Sequence, residues 1–184
     1  TSIGSCDQNE NMCKSQYTAC KDESLIAIYV DLAGCRCKID DIDCAAAATI
    51  HFSVGQFSNL VSFQVLPSYT SDDQFPDIFV TGRLPTQLGS LQSLRVLNLP
   101  NHEITGSFPS ELGSLSKLDG INLRNNKMSG TLPRMPKRAT FVDVDKNKFS
   151  GSLDGVFDGM PELKLLYISE GPSGCIDVKP GQLW

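Results

Sequence analysis

Six of the seven cysteines in this 184-residue chain lie within its first 44 residues, at intervals that suit either metal binding or disulfide formation. A zinc site favours pairs of cysteines separated by two residues, and that spacing does not occur here. Disulfide bonds fit better, and they indicate an oxidising compartment. The sequence therefore predicts a secreted or cell-surface protein without a metal site. Its disulfide bonds join six residues whose pairing the sequence does not choose: Cys6, Cys13, Cys20, Cys35, Cys37 and Cys44.

Two histidines, His51 and His102, are the imidazole groups that could act as bases beside a nucleophile. Neither accompanies a nucleophile motif such as G-x-S-x-G, and the sequence has no phosphate-binding loop. No pair of acidic residues is isolated enough to indicate glycoside hydrolysis. The sequence predicts a protein that is not an enzyme and needs no cofactor.

The acidic run Asp143-Val-Asp145-Lys-Asn147 has the spacing of the first residues of a calcium-binding loop. Such a loop needs glycine at its sixth position, where this chain has Lys148, and glutamate at its twelfth, where it has Asp154. We therefore prefer a structural interpretation of this run as part of a repeat.

Composition narrows the classes of partner. Hydrophobic residues make up 40% of the chain and charged residues 20%, which indicates a folded domain. Its 16 basic and 21 acidic side chains give a net charge of −5, which argues against nucleic acid as a partner. No apolar run is long enough to cross a membrane, so we expect membrane association only through an anchor outside this chain.

A repeat organises the chain from about residue 57. Seven positions recur 24 residues apart: Leu91, Leu94, Leu97, Leu99, Ile104, Gly106 and Pro109 return as Leu115, Leu118, Ile121, Leu123, Met128, Gly130 and Pro133. The later half returns after a further 21 residues as Val142, Val144, Phe149 and Gly151. A period of this length is typical of a solenoid, in which each repeat forms one coil.

The repeat positions its polar residues through short strands. Each L-x-L segment alternates as a β-strand does, with two apolar residues in the core and their neighbours on an open face. Asn126 and Asn147 follow these strands at a position where an amide can pair with the backbone of adjacent coils. His102 occupies the equivalent position, so we predict a structural hydrogen bond there, with a pH-sensitive contact as the alternative.

The repeat resembles the plant-type leucine-rich repeat, L-x-x-L-x-x-L-x-L-x-x-N-x-L-x-G-x-I-P, over residues 57–170. Three turns carry the resemblance: Gly82-Arg-Leu-Pro85, Gly106-Ser-Phe-Pro109 and Gly130-Thr-Leu-Pro133. The class includes receptor-kinase ectodomains, polygalacturonase-inhibiting proteins and trypanosomatid surface antigens. The resemblance implies an α/β, β-rich solenoid: a right-handed superhelix of about five coils with a cap at each end.

The two ends of the solenoid are expected to be capped. Residues 1–56 would form the N-terminal cap, because Cys37-Lys-Ile-Asp-Asp-Ile-Asp-Cys44 resembles the family's paired-cysteine cap without its tryptophan and glycine. Near-helical spacing over residues 12–32 predicts a helix in this cap. Residues 171–184 would form part of the C-terminal cap, where Cys175 pairs beyond Trp184, pairs between molecules or stays free.

The repeat register places fifteen residues on the concave face in three rows. The first row is Ser62, Val96, Gly120, Phe141 and Leu165; the second is Gln64, Asn98, Asn122, Asp143 and Tyr167; the third is Leu66, Pro100, Arg124, Asp145 and Ser169. Arg124 and Asp145 are neighbours and should partly neutralise each other. We predict ligand contacts from eight of these residues: Asn98, Asn122, Arg124, Phe141, Asp143, Asp145, Leu165 and Tyr167. The apolar ones among them have an alternative role, as a surface covered by another coil or a loop.

Two further features flank this face. Residues 124–148 carry seven basic and two acidic side chains, which predicts a basic edge for an anionic glycan or an acidic protein, or else a solvated surface. The edge comprises Lys127, Arg134, Lys137, Arg138 and Lys148. An insertion at 67–79 interrupts the first repeat and is expected to form either a recognition loop beside the strands or a disordered bulge.

Taken together, these features predict an extracellular recognition domain that binds a protein, a peptide or a glycan through its concave face and flanking loops. Two alternatives remain, a surface-antigen or adhesin coat protein of a eukaryotic parasite and a secreted inhibitor of a microbial hydrolase. The sequence leaves the ligand and the oligomeric state open.

Overall fold

The computed structural model describes residues 16–21, 24–31, 48–50, 52–66, 79–168 and 176–177. Five of the six clustered cysteines, His51, residues 67–78 of the insertion and Cys175 lie outside this part of the chain. The disulfide bonds, the cap boundaries and the insertion loop therefore stay predictions. In the described part, no helix has the length and apolar character needed to cross a membrane.

The concave wall is a seven-stranded sheet, made of one N-terminal hairpin and one strand from each of five coils. β1 (Gln16–Lys21) and β2 (Ser24–Asp31) form an antiparallel pair. The remaining strands add in parallel, one from each coil: β4 (Ser62–Leu66), β6 (Val96–Asn98), β8 (Gly120–Asn122), β10 (Phe141–Asp143) and β13 (Leu165–Tyr167). Repeat-equivalent residues lie opposite each other in every parallel pair from β4 onward, which confirms the predicted register.

The helix predicted within residues 12–32 is wrong, because β1 and β2 occupy most of that segment. β2 reads Ser-Leu-Ile-Ala-Ile-Tyr-Val-Asp, and its β-branched and aromatic residues favour a strand. A continuous apolar run fits both periods, so its spacing alone does not decide between helix and strand. Pairing decides it, since Ala27 lies opposite Ser62 and Asp31 opposite Leu66. The concave sheet thus extends into the segment predicted as the N-terminal cap.

A second parallel sheet follows the first around each coil. It contains β3 (Ala48–Thr49), β5 (Val80–Arg83), β7 (Glu103–Gly106), β9 (Lys127–Gly130) and β11 (Lys148–Phe149). β12 (Gly151–Ser152) pairs with β14 (Ile176–Asp177) beyond it. Gly82, Gly106 and Gly130 have φ values of 80°, 80° and 86°, a left-handed conformation that residues with side chains rarely adopt. The glycine of the sequence motif is therefore a backbone requirement.

The third wall is formed by 3₁₀ turns at Phe52–Gln56, Thr86–Ser90 and Ser110–Ser114. Leu88 and Leu112 project from these turns into the core and are fully buried. Together with the inward residues of both sheets they form a single apolar core, which contains Leu97, Leu123 and Val142. This continuous core holds the concave sheet rigid from coil to coil.

Candidate ligand-binding face

An apolar patch lies at the C-terminal end of the concave face, on β10 and β13. Leu165 is 50% exposed and Tyr167 is 46% exposed. Among the described residues, these two are the large hydrophobic side chains that are exposed to solvent. Phe141 lies opposite Leu165 in the register, and its ring centre is 6.1 Å from that of Tyr167 at an interplanar angle of 59°. This tilted aromatic pair beside an exposed leucine offers a firm apolar anchor. We call Phe141, Leu165 and Tyr167 the apolar patch.

A charged cluster lies next to the apolar patch at the carboxyl ends of β8 and β10. The guanidinium of Arg124 is 2.8 Å from Asp145 Oδ2 and 3.7 Å from Asp143 Oδ2. The predicted contact between Arg124 and Asp145 is confirmed, and Asp143 joins it. The three side chains, which we call the charged cluster, differ in exposure: Asp143 is 8% exposed, Asp145 16% and Arg124 38%.

Local hydrogen bonds fix the backbone where these strands end. The Asn122 Oδ1 accepts the backbone N–H of Arg124 at 3.2 Å, and the Asp143 Oδ1 accepts that of Asp145 at 3.1 Å. Such side-chain bonds to the residue two positions on hold a turn in place of a β-ladder. The sequence contains the signal for this arrangement, an Asn or Asp two residues before a polar residue at each strand end. The sequence prediction missed it.

Two amide side chains of the second row, Gln64 and Asn98, are joined by a hydrogen bond. The Nδ2 of Asn98 donates to Gln64 Oε1 at 3.0 Å, and the Nε2 of Gln64 donates to the hydroxyl of Ser62 at 2.9 Å. These bonds orient the amides across β4 and β6. The face therefore carries hydrogen-bonded amides on β4 and β6 and the apolar patch on β10 and β13.

The five residues of the predicted basic edge lie at two different places. Lys127 begins β9 and pairs with Glu103 on β7, with its Nζ 2.6 Å from Oε1, whereas Lys148 begins β11 opposite Ser129. The other three basic residues are exposed on the connection from β9 to β10: Arg134, Lys137 and Arg138. Lys127 is thus neutralised by an ion pair, and the three arginine and lysine residues of the connection lie outside the second sheet.

The predicted hydrogen-bonding role of His102 is confirmed. Asn126 and Asn147 each accept a backbone N–H from the preceding coil, from Ile104 at 3.0 Å and Met128 at 3.1 Å, and donate back to backbone carbonyls. His102 does the same with a ring: its Nδ1 accepts the N–H of Val80 at 3.3 Å, and its Nε2 lies 3.0 Å from the carbonyl oxygen of Val65.

These two bonds assign the neutral imidazole with its proton on Nε2, since a protonated Nδ1 cannot accept. His102 is buried, with 4% of its surface exposed. Burial lowers the pKa of His102 from its ordinary value of 6.5, and the hydrogen bond to the Val65 carbonyl opposes that effect. The His102 side chain therefore has a structural role, joining backbone groups of the coils, and is not positioned to act in catalysis.

The side chains that would bind calcium in residues 143–154 make structural contacts within the repeats instead. Asn147 uses its side-chain oxygen on the N–H of Met128, and the two aspartates face Arg124. Across the described residues, no group of three or more His, Cys, Asp or Glu side chains is arranged to hold a metal ion. The acidic run is explained by its structural contacts.

Comparison with known proteins identifies the repeat and the fold. A model of the leucine-rich repeat family matches residues 93–115. A comparison with curated proteins finds no match. Among solved structures, the chain is similar to the leucine-rich-repeat ectodomain of the plant membrane receptor kinase GASSHO1/SCHENGEN3 from Arabidopsis thaliana, in complex with Casparian strip integrity factor 2. The TM-score is 0.68 at 19% identity, with 89% of this chain and 18% of that chain covered.

Two other Arabidopsis structures show the same fold. The ectodomain of the receptor kinase SOBIR1 aligns with a TM-score of 0.57 at 19% identity, over 86% of this chain and 80% of that chain. The receptor kinase HAESA, in complex with the peptide hormone IDA and the co-receptor SERK1, aligns with a TM-score of 0.52 at 23% identity, over 68% and 24%. The chain spans about a fifth of the length of the larger receptors that it matches.

Proposed function

We propose that this chain, a leucine-rich-repeat solenoid of the plant type, is an extracellular recognition domain that binds a peptide or protein through its concave face. The observation that carries the proposal is the apolar patch of Phe141, Leu165 and Tyr167, which contains the large hydrophobic side chains that are exposed among the described residues. A large exposed leucine and tyrosine side by side are unfavourable in water, and aromatic anchors of this kind dominate the energetics of binding sites. The proposed role is binding, without catalysis.

The rigidity of the face supports the same proposal. Each strand of the patch is paired on the side facing the previous coil, with Phe141 opposite Gly120 and Leu165 opposite Phe141. Beneath β10 the core is buried, with Val142 at 0% exposure, and beneath β13 Leu166 is partly buried against the same core. A ligand that docks here does not have to order the backbone first, so less binding free energy is lost to ordering.

The comparisons support a peptide or protein as the class of ligand. Two of the similar structures are named as complexes with Casparian strip integrity factor 2 and with the peptide hormone IDA and a co-receptor. Glycan binding at the basic edge has weaker support, because Lys127 is already paired with Glu103. The extracellular location rests on the description of the similar chains as receptor ectodomains and on the cysteine cluster.

A binding screen with matched variants tests this function. The protein is screened against secreted proteins and displayed peptides, and each binder is measured again with Tyr167→Ala, Leu165→Ser and the control Ser129→Ala. Ser129 is exposed on β9 of the second sheet, so its substitution should leave affinity unchanged. We expect a loss of about thirtyfold for Tyr167→Ala if the patch is the anchor. Binders that are insensitive to both patch variants, or sensitive to Ser129→Ala, would contradict the concave-face proposal.

A further inference from the structure

Gly120 leaves an opening in the concave face that the solenoid itself does not need. It lies in β8 in the first row, between Val96 and Phe141. A Cβ built on Gly120 has no atom within 4 Å, and its φ lies outside the left-handed region. By contrast, a Cβ on Gly113 would collide with the carbonyl oxygen of Arg134. Glycine at 120 is therefore required neither by backbone conformation nor by packing within the described chain.

A glycine of this kind on a strand marks a place where another backbone can approach closely. The opening borders Phe141 on the side away from Leu165, so it continues the apolar patch down to the level of the main chain. An extended segment that runs along β8 can pass over Gly120 with its backbone while one apolar side chain contacts the patch on the neighbouring strand.

The charged cluster begins at Asp143 in the second row, and its other members, Arg124 and Asp145, lie in the third row. The third row is about 13 Å further along the strands than Gly120, at four residues of about 3.3 Å each. It contains two carboxylates and one guanidinium, so its sum is one negative charge, on Asp143 and Asp145. The nearest ion pair at the opposite ends of the strands, Arg95 with Asp119 at 3.0 Å, is balanced. The excess carboxylate thus lies at one end of the face.

The apolar patch and the charged cluster adjoin at Tyr167, which belongs to the patch and lies directly opposite Asp143 in the register of β10 and β13. A cationic side chain placed here is attracted by two carboxylates, and Tyr167 on the neighbouring strand offers an aromatic ring close by. An acidic side chain at the same place meets carboxylates that Arg124 only half neutralises. The chemistry of the site selects for positive charge.

We propose, building on the proposed function, that the ligand is an extended peptide segment with an apolar or aromatic residue followed within about four residues by arginine or lysine. Its backbone crosses Gly120, its apolar side chain packs on the apolar patch, and its basic side chain binds at Asp143 and Asp145. The spacing of four residues matches the roughly 13 Å from the first to the third row.

The test starts from a displayed library of random nonapeptides selected on the intact protein. The selected pool should be enriched in peptides that combine an apolar residue with arginine or lysine at this spacing. For the most enriched peptide, we expect Asp145→Asn to weaken binding about tenfold, because a charge-assisted contact is lost. Gly120→Val should weaken binding about tenfold or more by filling the opening, with Gly120→Leu as a second variant. Thermal unfolding confirms that each variant is folded.

Arg124→Gln separates charge recognition from general disturbance of the site. It leaves two carboxylates without their guanidinium, so it should strengthen binding of the basic peptide several-fold while Asp145→Asn weakens it. Weaker binding in both variants, acidic enrichment in the library, or indifference to Gly120→Val would overturn this inference. If binders then still depend on Tyr167, the proposed function stands without it. If no peptide and no secreted protein binds through Tyr167, both proposals fail.

Discussion

Replacing His102 with asparagine is the sharpest test of how the coils are held together. In the wild-type protein the neutral ring accepts from Val80 and donates to Val65. Asparagine at 102 has the same register as Asn126, which accepts from the preceding coil and donates to two carbonyls, those of Leu99 and Leu123. We therefore expect His102→Asn to change the free energy of unfolding near neutral pH by about 1 kcal/mol or less.

Lowering the pH should separate the two proteins. Burial lowers the pKa of His102 in the folded state, so below its ordinary value of 6.5 the unfolded chain binds a proton that the folded chain does not. Stability contributed by His102 is therefore complete above pH 6.5 and is lost as the pH falls towards the folded-state pKa. The loss reaches at most about 1.4 kcal/mol per pH unit, the limit for one proton. His102→Asn has no such proton and should lack this slope.

Urea unfolding followed by circular dichroism, at several pH values between about 7.5 and 5, measures the difference in slope. His51 and the carboxylates are common to both proteins, so their titration cancels in the comparison. His102→Ala is the structural control. It leaves the N–H of Val80 and the carbonyl of Val65 unpaired and should cost about 2–4 kcal/mol near neutral pH. Equal pH slopes for wild type and His102→Asn would refute the buried neutral imidazole.

Three further substitutions test the backbone of the coils. Gly113→Ala should destabilise the protein by about 1–3 kcal/mol, because the new Cβ meets the carbonyl oxygen of Arg134. Gly120→Ala should leave the urea midpoint nearly unchanged, because its Cβ meets no atom. Equal effects of the two substitutions on the urea midpoint would refute this packing. Lys146 has φ of 55°, a conformation that asparagine adopts more readily and that Asn125 already shows at the equivalent position. Lys146→Asn should raise the free energy of unfolding by about 0.5 kcal/mol, and a lower midpoint would show that contacts of the lysine side chain outweigh the strain.

The repeat made the concave face predictable before any coordinates. Because equivalent residues return at a nearly constant period and strands alternate, one register fixes all three rows, and the pairing of Phe141 with Gly120 and Leu165 follows. The same logic predicted that Arg124 would meet Asp145. The hydrogen-bonding role of His102 was likewise predictable, since its position in the coil determines which backbone groups need a partner.

Other features depend on contacts that residue types do not specify. The apolar spacing before residue 32 fits helix and strand alike, and pairing with β1 and β4 selects the strand. Gly113 and Gly120 are both glycines in the repeat, but their surroundings differ. A Cβ on Gly113 would meet the carbonyl oxygen of Arg134 in another coil, whereas a Cβ on Gly120 would meet no atom within 4 Å. The approach of Asp143 to Arg124, at 3.7 Å, joins two coils, whereas the sequence prediction paired Arg124 with Asp145 alone.

The central claim is that ligands bind on β8, β10 and β13 of the concave sheet. At 20.0 kDa the protein is small enough for backbone amide chemical shifts to be followed by NMR while a selected nonapeptide is titrated in. We expect the largest shifts in residues 120–124, 141–145 and 165–167, and loss of those shifts in Tyr167→Ala. Shifts concentrated instead in the second sheet, at residues 103–106 and 127–130, would contradict binding on the concave sheet.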